Sequence, residues 1–340
     1  MSKCVFQIEN ADVGVVNAIR RTILSEVENV AIVSDMNFIE NNTPLHNEFM
    51  AHRISLIPLH FSEKELEEFD PANYKFVLNV TNTTNATLNV TSKDIKIFDC
   101  RNNKEIYSKN IFPPFSYVVR KDGQEKKTKN YYILITKLKQ KETINVEFRA
   151  AKGTGSQHAK WSPVSVASYV YTTDMAAFKK ARAAVDKSEL HVFDTIQKQR
   201  IYHKDKNGNP NKFTFTIESE CRLSPDYIFN KAVEKINYNL RSFASNLKNV
   251  SSENEIDILE FHKETDTIAN IIHMIMMNNY VNKNKVISYA GYYKEHALKQ
   301  IIIFKLKFIN SSTKNVQGFI ATCVSDAIKM MSTLLNNDKC

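Results

Sequence analysis

Residues 17–27 read NAIRRTILSEV, and this stretch decides how the N-terminal part of the chain folds. Apolar side chains recur here at spacings of three and four, which predicts an amphipathic helix with one buried stripe. That stripe consists of Val16, Ile19, Ile23 and Val27. Arg20 and Arg21 lie off the stripe, and neighbouring helix positions point about 100° apart. The arginine pair can therefore reach two different surfaces.

Strand-like segments flank this helix. Cys4–Ile8 alternates apolar and polar residues, which predicts a strand, and Asp12 can cap the helix by accepting a hydrogen bond from a free N–H group. From Ala31 to Tyr171 the pattern changes to short β-like runs separated by polar breaks. These runs are Phe76–Val80, Ile95–Phe98, Tyr131–Ile135 and Ile144–Phe148. This middle region is predicted to be a separate β-rich part of the chain.

A long amphipathic helix is predicted after a strand at Phe213–Ile217. Ser224 supplies the N-cap and Pro225 occupies the first helical position, which is a strong start signal. The helix is expected to reach residue 247, with a wide apolar face that includes Ile236, Leu240 and Phe243. The polar residues Ser251–Glu255 are interpreted as a linker.

A smaller unit of the same plan is predicted after this linker. It begins with a strand at Ile256–Phe261 and a helix that runs from a cap at Thr265 or Asp266 to Met277. Two strands follow, at Val286–Tyr292 and Ile301–Phe308. The final helix, near residues 313–335, carries an apolar stripe that includes Phe319, Ile320, Val324 and Ile328. Its apolar face is wider than a small sheet covers, so we expect it to pack against the long helix near residues 225–247.

Composition sets limits on the function. The 340 residues are 43% apolar and 24% charged, which is ordinary for a globular protein, and no apolar run has the ~18 residues of a membrane span. The five cysteines are far apart and form no Cys-x-x-Cys pair, which argues against a disulfide framework and against a cysteine zinc site. No clustered aspartates, phosphate-binding glycine loop or nucleophile elbow is present. We therefore predict no catalytic residue, no cofactor and no metal.

The net charge of +9 leaves two interpretations open. Part of it surrounds Asp122-Gly123, where a solvated hairpin tip is favoured over a phosphate-binding loop. The charge suits a protein that works near nucleic acid or acidic partners. The alternative function is therefore a stand-alone basic nucleic-acid-binding transcription factor, which predicts DNA binding with a steep salt dependence.

Several longer runs carry a family resemblance. Residues 17–27 resemble the dimerisation helix of the alpha-like, third-largest subunit of multisubunit DNA-directed RNA polymerases. Residues 43–59, TPLHNEFMAHRISLIPL, resemble the start of the insert domain of that subunit, and residues 158–163, HAKWSP, resemble its late insert segment. Many members carry a zinc-binding cysteine cluster after the Ile-Pro-Leu segment, where this chain has Phe69–Tyr74 without cysteine.

The C-terminal unit resembles the small partner of that subunit, the eleventh-type subunit. Residues 264–270, ETDTIAN, are similar to its Glu-x-His-Thr-Leu-Gly-Asn helix start, with Asp266 and Ala269 in place of histidine and glycine. The resemblance therefore implies two normally separate proteins fused in one chain, as in large nucleocytoplasmic DNA viruses. It implies an α+β fold with two alpha-like dimerisation modules, the first interrupted by a β-rich insert domain. The expected domains are residues 1–32 with 172–250, residues 33–171, and residues 255–340.

The resemblance also implies a role and a set of contacts. The role is a non-catalytic assembly platform for the two largest polymerase subunits and small zinc-binding assembly subunits, with DNA bound only through the complex and no membrane contact. Partner-binding residues carried over by the motifs are Asn17, Arg20, Arg21, Glu48, His52, Arg53, His158, Lys160 and Trp161. For Glu48, His52 and Arg53, placed beside an apolar strand, an internal ion pair is an equal alternative. Without a secretion signal, the expected location is the cytoplasm, a virion if the chain is viral, or the nucleus.

Overall fold

The computed structural model describes residues 2–102, 104–106, 108–121, 124–296, 298–310 and 315–334, with side chains throughout except at residues 117–129. In chain order the strands are β1 Ser2–Glu9, β2 Glu28–Ile32, β3 Asn37–Asn41, β4 Tyr74–Thr81, β5 Leu88–Thr91, β6 Ile95–Asp99, β7 Lys104–Ile106, β8 Phe115–Lys121, β9 Gln124–Tyr131, β10 Leu134–Leu138, β11 Thr143–Phe148, β12 Ala150–Thr154, β13 Val164–Tyr171, β14 Lys212–Ser219, β15 Leu247–Glu253, β16 Ile256–His262, β17 Ile287–Tyr293 and β18 Ile301–Phe308. The helices are α1 Val13–Ser25, α2 Asn47–Ser55, α3 Glu63–Glu67, α4 Ser108–Ile111, α5 Met175–Ala183, α6 Leu190–Val192, α7 Pro225–Phe243, α8 Asp266–Ile275 and α9 Val316–Ser332. The predicted α+β class is confirmed by this mixture of sheets and helices.

The chain divides into two compact units, whose ranges differ from the predicted domains. The first unit contains Val27–Ser165 and Glu218–Tyr227. The second contains Lys3–Glu26, Val166–Ile217 and the residues from Ile228 onward. The predicted domain boundaries stay a prediction.

The first unit is rich in strands, as the sequence predicted for the middle region. Its largest sheet has the strand order β3-β11-β4-β6-β7, and two-stranded sheets are formed by β12 with β2, by β10 with β5 and by β8 with β9. Phe76 and Phe148 stack in its core with ring centroids 5.5 Å apart. The predicted turn at Asp122-Gly123, which would join β8 and β9, lies outside the described residues.

The second unit contains two sheets with helices. The N-terminal half, as we call it, comprises the sheet β1-β14-β13 with α1 and α7, and the C-terminal half comprises the sheet β15-β16-β18-β17 with α8 and α9. The predicted stripe of α1 is confirmed, since Val16, Ile19 and Ile23 are fully buried. The predicted caps also hold: the Asp12 carboxylate accepts a hydrogen bond from Gly14 N at 2.7 Å, and Ser224 Oγ accepts one from Tyr227 N at 3.2 Å.

The predicted linker at Ser251–Glu255 is wrong. Residues 251–253 belong to β15, which pairs antiparallel with β16 along its length. The hairpin turn consists of Asn254 and Glu255, which both have positive φ, 49° and 65°. Two left-handed residues in succession match the twist of the flanking strands and close a tight hairpin. The polar residues of β15 are accommodated because this edge strand is exposed to solvent from Lys248 onward.

Two helical regions were not expected from the sequence. The segment before the Ile-Pro-Leu run forms α2, not a strand, because Met50, Ala51 and Ile54 recur at helical spacing and are buried together. The connection between β13 and β14 contains α5 and a helical run at Leu190–Arg200. Within the described residues, none of the helices is long and apolar enough to cross a membrane.

Candidate functional site

The first element of the candidate site is the contact between α1 and α8, which belong to different halves of the second unit. Gly14, in the first turn of α1, faces Asn270 of α8 closely: a Cβ atom on Gly14 would lie 2.7 Å from Asn270 Nδ2. Because Asn270 Nδ2 is the end of a flexible side chain, a Cβ atom on Gly14 would displace this amide group and not the backbone of α8. The contacts between the two halves that involve α1, α7 and Asn246 on one side and β16, β18, Glu264 and α8 on the other are called the joint below.

The end of α7 provides the apolar part of the joint. The ring of Phe243 stacks on Phe261 of β16, with centroids 4.2 Å apart and planes 18° from parallel, and meets Phe304 of β18 edge-on at 6.0 Å. All three rings are fully buried, as are Ile236 and Leu240 earlier on the same helix. The helix of one half thus ends in the aromatic core of the other half.

An amide–carboxylate hydrogen bond supplies the polar part of the joint: Asn246 Nδ2 donates to Glu264 Oε1 at 2.8 Å. A second such bond, from Asn239 Nδ2 to Glu26 Oε2 at 2.9 Å, links α7 to the end of α1 within the N-terminal half. Glu264 is only 4% exposed. Burial disfavours its charged form and raises its pKa to about 7, against the opposite effects of the hydrogen bonds from Asn246 and Thr265. The joint therefore contains a carboxyl group that titrates near neutral pH.

Helix α9 lies on α8 and on the turn Ala244–Asn246 that directly follows α7. Phe319 packs edge-on against Tyr280 and Phe308 of its own half, at 5.1 and 5.2 Å. Of the other residues predicted for this face, Ile320 and Val324 are buried and Ile328 is half-buried. The predicted direct packing of α7 on α9 stays a prediction.

The three predicted contact residues of α1 differ in how they are engaged. Asn17 and Arg20 bind each other, since Arg20 Nε and Nη2 donate to Asn17 Oδ1 at 3.1 and 3.0 Å. Arg21 is exposed, and its guanidinium forms no hydrogen bond or ion pair among the described residues. Burial raises the pKa of Tyr169 and of Tyr292, and the nearby charges of Arg20 and Arg21, respectively, oppose these rises. Arg20 therefore lies near β13 of the N-terminal half, and Arg21 lies near β17 of the C-terminal half.

In the first unit, the predicted group Glu48, His52 and Arg53 lies on α2. Glu48 and His52 are exposed and line an open groove of about 520 Å³ together with Asp35 and Phe38. Arg53 points elsewhere and binds the backbone of β10: its Nε donates to Ile135 O at 3.0 Å and its Nη2 to Leu134 O at 3.1 Å. The alternative of an internal ion pair is therefore wrong for Arg53, whose internal partners are carbonyl groups.

The predicted group His158, Lys160 and Trp161 fastens β2 and β12. Lys160 Nζ donates to Ile32 O at 2.9 Å and lies 4.6 Å from the centre of the Trp161 ring, and its partial burial lowers its pKa. Trp161 Nε1 donates to Ala151 O at 2.9 Å. The indole covers Gly153, where a Cβ atom would lie 2.5 Å from the ring. His158 is exposed, and its Nδ1 accepts a hydrogen bond from Lys160 N at 3.1 Å.

Sequence reasoning missed the polar part of the joint and the contact of Gly14 with Asn270. A glycine in the first turn of a helix gives a weak signal on its own, and the residues that meet in the joint are separated by many positions along the chain. Among the described residues, no three His, Cys, Asp or Glu side chains form a cluster that could hold a metal ion. Cys100, Cys221 and Cys323 are free thiols.

The joint defines the class of protein: two halves, each made of a sheet with helices, are paired through their helices. The chain belongs to the family described as the RNA polymerase Rpb3/Rpb11 dimerisation domain, whose model matches residues 5–240. The matched range ends before the C-terminal half.

Individual relatives are proteins of cellular organisms. The chain is 32% identical over 181 residues to DNA-directed RNA polymerase II subunit rpb3 of Dictyostelium discoideum, covering 49% of this chain and 53% of the relative. It is 28% identical over 291 residues to DNA-directed RNA polymerases I and III subunit RPAC1 of Saccharomyces cerevisiae, covering 72% and 83%. A conjugation stage-specific protein of Tetrahymena thermophila is 33% identical over 177 residues, covering 49% and 55%. The match thus spans about half the length of the Dictyostelium and Tetrahymena relatives. These relatives give the suggested viral origin no support.

Proposed function

We propose that this chain is a non-catalytic assembly subunit of a multisubunit DNA-directed RNA polymerase, in which an alpha-like half and a small-partner-like half are fused. The observation that carries the proposal is the joint, where helices and rings of the two halves pack within one polypeptide. The family that matches residues 5–240 is named for dimerisation, and the packing at the joint supports the proposal that this pairing takes place inside a single chain.

Fusion changes the energetics of this pairing. The turn Ala244–Asn246 between α7 and β15 is short, so the two halves remain close even when the joint opens. Tethering by a short connection gives an effective concentration of ~mM, which makes pairing insensitive to the protein concentration in solution. The aromatic rings of the two halves can then pack together without a second subunit.

The proposed role of the paired unit is to hold the two largest polymerase subunits in a fixed relation. Arg21 and the exposed part of Arg20 are the proposed contacts on the second unit, since arginine binds carboxylates and carbonyl groups in a rigid fork. On the first unit, the groove beside Glu48 and His52 is the proposed contact. Small zinc-binding assembly subunits are the further proposed partners. RNA synthesis belongs to the complex, and DNA meets this chain only through it.

The proposal is tested by affinity purification of the tagged full chain from its native source, followed by mass spectrometry. We expect the two largest polymerase subunits to copurify, and the double variant Arg20→Ala with Arg21→Ala to lose most of them. Arg241→Ala is the matched control, because this exposed arginine also lies on a helix of the second unit. Recovery without polymerase subunits would overturn the assembly role.

The fused arrangement has its own test. The purified full chain is expected to have the mass of a single chain in light scattering over a range of concentrations. A stable dimer, or stoichiometric copurification of a separate small alpha-like partner, would show that the C-terminal half does not fill the partner position.

A further inference from the structure

A helical segment between β13 and β14 carries a surface that the assembly role does not use. This segment, residues 172–212, has its own internal contacts and is called the basic excursion below. Phe178 of α5 stacks on Phe193 with centroids 5.7 Å apart. Arg182 binds Asp194 through two hydrogen bonds, Nε to Oδ1 at 2.7 Å and Nη2 to Oδ2 at 2.9 Å. These contacts fix α5 against the helical run Leu190–Arg200.

The basic excursion has a strong excess of positive charge. It contains nine Lys and Arg against five Asp and Glu, a balance of +4 within a chain of net +9. Three of the five acids are engaged in its own structure: Asp194 pairs with Arg182, Asp174 caps α5, and Asp205 accepts hydrogen bonds from the backbone of its turn. Two of the nine cations are also paired, Arg182 with Asp194 and Lys212 with Glu9, and the two other acids, Asp186 and Glu189, are exposed. Seven cations that form no such pair in the described part of the chain therefore outnumber the two exposed acids at the surface.

Four of the remaining cations lie on the two helical stretches. These are Lys179, Lys180, Lys198 and Arg200. All four are exposed, and none forms an ion pair within the part of the chain that the structure describes. Their charges are thus available to an external anion.

Exposed aliphatic side chains lie on the same two helical stretches as these cations. Val192 is 56% exposed and Ile196 48% exposed, one helical turn apart and just before Lys198 and Arg200. Met175, at the start of α5, is 50% exposed. Exposed aliphatic groups gain free energy only when a partner removes them from water.

We infer that the basic excursion binds an acidic, amphipathic peptide segment of a partner protein. Carboxylates of such a segment meet Lys179, Lys180, Lys198 and Arg200, and its apolar side chains cover Val192 and Ile196. A nucleic acid satisfies only the first requirement, because its phosphate backbone offers nothing apolar to cover aliphatic side chains, and single strands stack on aromatic rings. This surface is separate from the joint, so the experiment below and the copurification experiment fail independently.

The experiment measures binding to the full chain by fluorescence anisotropy. The probe is a short labelled peptide in which Asp and Glu alternate with Leu and Phe. A second peptide has Ser at the Leu and Phe positions, and a DNA duplex of similar charge is the third probe. We expect the first peptide to bind at least about fivefold more tightly than the Ser peptide, as a loss of buried apolar contacts predicts.

Variants assign the binding to this surface. Lys179→Glu with Lys180→Glu is expected to weaken the first peptide about tenfold, and Val192→Ser with Ile196→Ser about fivefold. These side chains are exposed, so circular dichroism should show unchanged folding. Lys93→Glu with Lys96→Glu makes the same charge change on exposed lysines of the first unit and should leave binding within about twofold.

Two outcomes would overturn the inference. Equal binding of the two peptides, or no effect of the Val192 and Ile196 variant, would remove the apolar part of the recognition. Tighter binding of the duplex than of the peptide, lost in the Lys179 and Lys180 variant, would assign the basic excursion to nucleic acid.

Discussion

Two groups of basic side chains carry the same predicted role, and the structure engages them differently. In the first unit, the side chains of Arg53 and Lys160 donate hydrogen bonds to carbonyl groups of neighbouring strands. In the second unit, Arg21 is exposed and forms no hydrogen bond or ion pair among the described residues. A basic residue in a family motif can thus hold its own chain together or remain available to a partner. The difference between the two cases is whether backbone carbonyl groups of the same chain lie within hydrogen-bonding distance of the basic side chain.

The largest expected effect in this comparison belongs to Trp161 in the first unit. Its indole covers Gly153 and donates to Ala151 O, so Trp161→Ala removes a half-buried ring and a hydrogen bond together. We expect a loss of about 3 kcal/mol in the stability of the β2–β12 pair. Hydrogen exchange measured by mass spectrometry, resolved to these strands in the full chain, reports this loss.

Phe49→Ala is the control for this substitution, because Phe49 is an aromatic residue of the same unit that is 63% exposed. It should change the exchange of β2 and β12 by less than about 0.5 kcal/mol. Unchanged protection in Trp161→Ala would mean that the indole does not stabilise the β2–β12 pair and, like Arg21, is available to a partner.

The next effect extends the comparison from cations to a carboxyl group of the second unit. Glu264 is buried in the joint with its pKa raised to about 7, above its ordinary value of 4.5. The folded state therefore holds a proton that the unfolded state releases at lower pH, and stability falls as pH rises from about 4.5 to about 7. Glu264→Gln keeps a neutral group that accepts from Asn246, so it should be more stable than the parent by about 2 kcal/mol above pH ~7.5.

Urea unfolding of the second unit across this pH range measures the difference. The two proteins should converge below pH ~3.5, where the parent carboxyl group is protonated in both states. Glu26→Gln changes an amide–carboxylate pair within the N-terminal half, at a half-buried site, and serves as the control. A constant offset between parent and Glu264→Gln at every pH would show that the carboxyl group does not titrate with unfolding.

A smaller effect is expected at Arg53. Arg53→Ala removes both donors to β10 and leaves the carbonyl of the buried residue Ile135 without this partner. We expect a loss of about 1.5 kcal/mol, seen as faster hydrogen exchange in α2 and β10. Arg53→Lys should recover part of it, since lysine offers a point charge in place of a fork. If Arg53→Ala leaves the exchange rates unchanged, Arg53 belongs with the residues that are free for a partner.

Residues close together in sequence explain most of the fold that could be predicted. The stripe of α1 and the start of α7 depend on helical spacing and on Asp12, Ser224 and Pro225, all of which act within one turn. The β15–β16 hairpin was missed because Glu255 adopts positive φ, for which glutamate gives no sequence signal. Helix α2 was missed because a short apolar run fits a strand as well as a helix.

The site was less predictable than the fold because its contacts are distant in sequence. Arg53 meets a strand some 80 positions away, and Asn239 meets a carboxylate 213 positions away. The spacing of residues within a motif does not indicate which residues distant in sequence come into contact in the fold. The resemblance to polymerase subunits identified the family, but only geometry separates the residues that bind their own chain from those left at the surface.

Arg21 is expected to give the smallest effect on stability and therefore the sharpest test of the comparison. Its side chain is exposed and contributes no hydrogen bond within the described residues, so Arg21→Ala should change the free energy of unfolding of the second unit, measured in urea, by less than about 0.5 kcal/mol. Arg20→Ala is the matched neighbour: it removes the hydrogen bonds to Asn17 and should cost about 0.5–1 kcal/mol. If Arg21→Ala lowers the free energy of unfolding by more than 1 kcal/mol, this arginine stabilises its own chain, as Arg53 and Lys160 do. An unchanged free energy of unfolding combined with lost copurification would show that its guanidinium acts on a partner and not on its own fold.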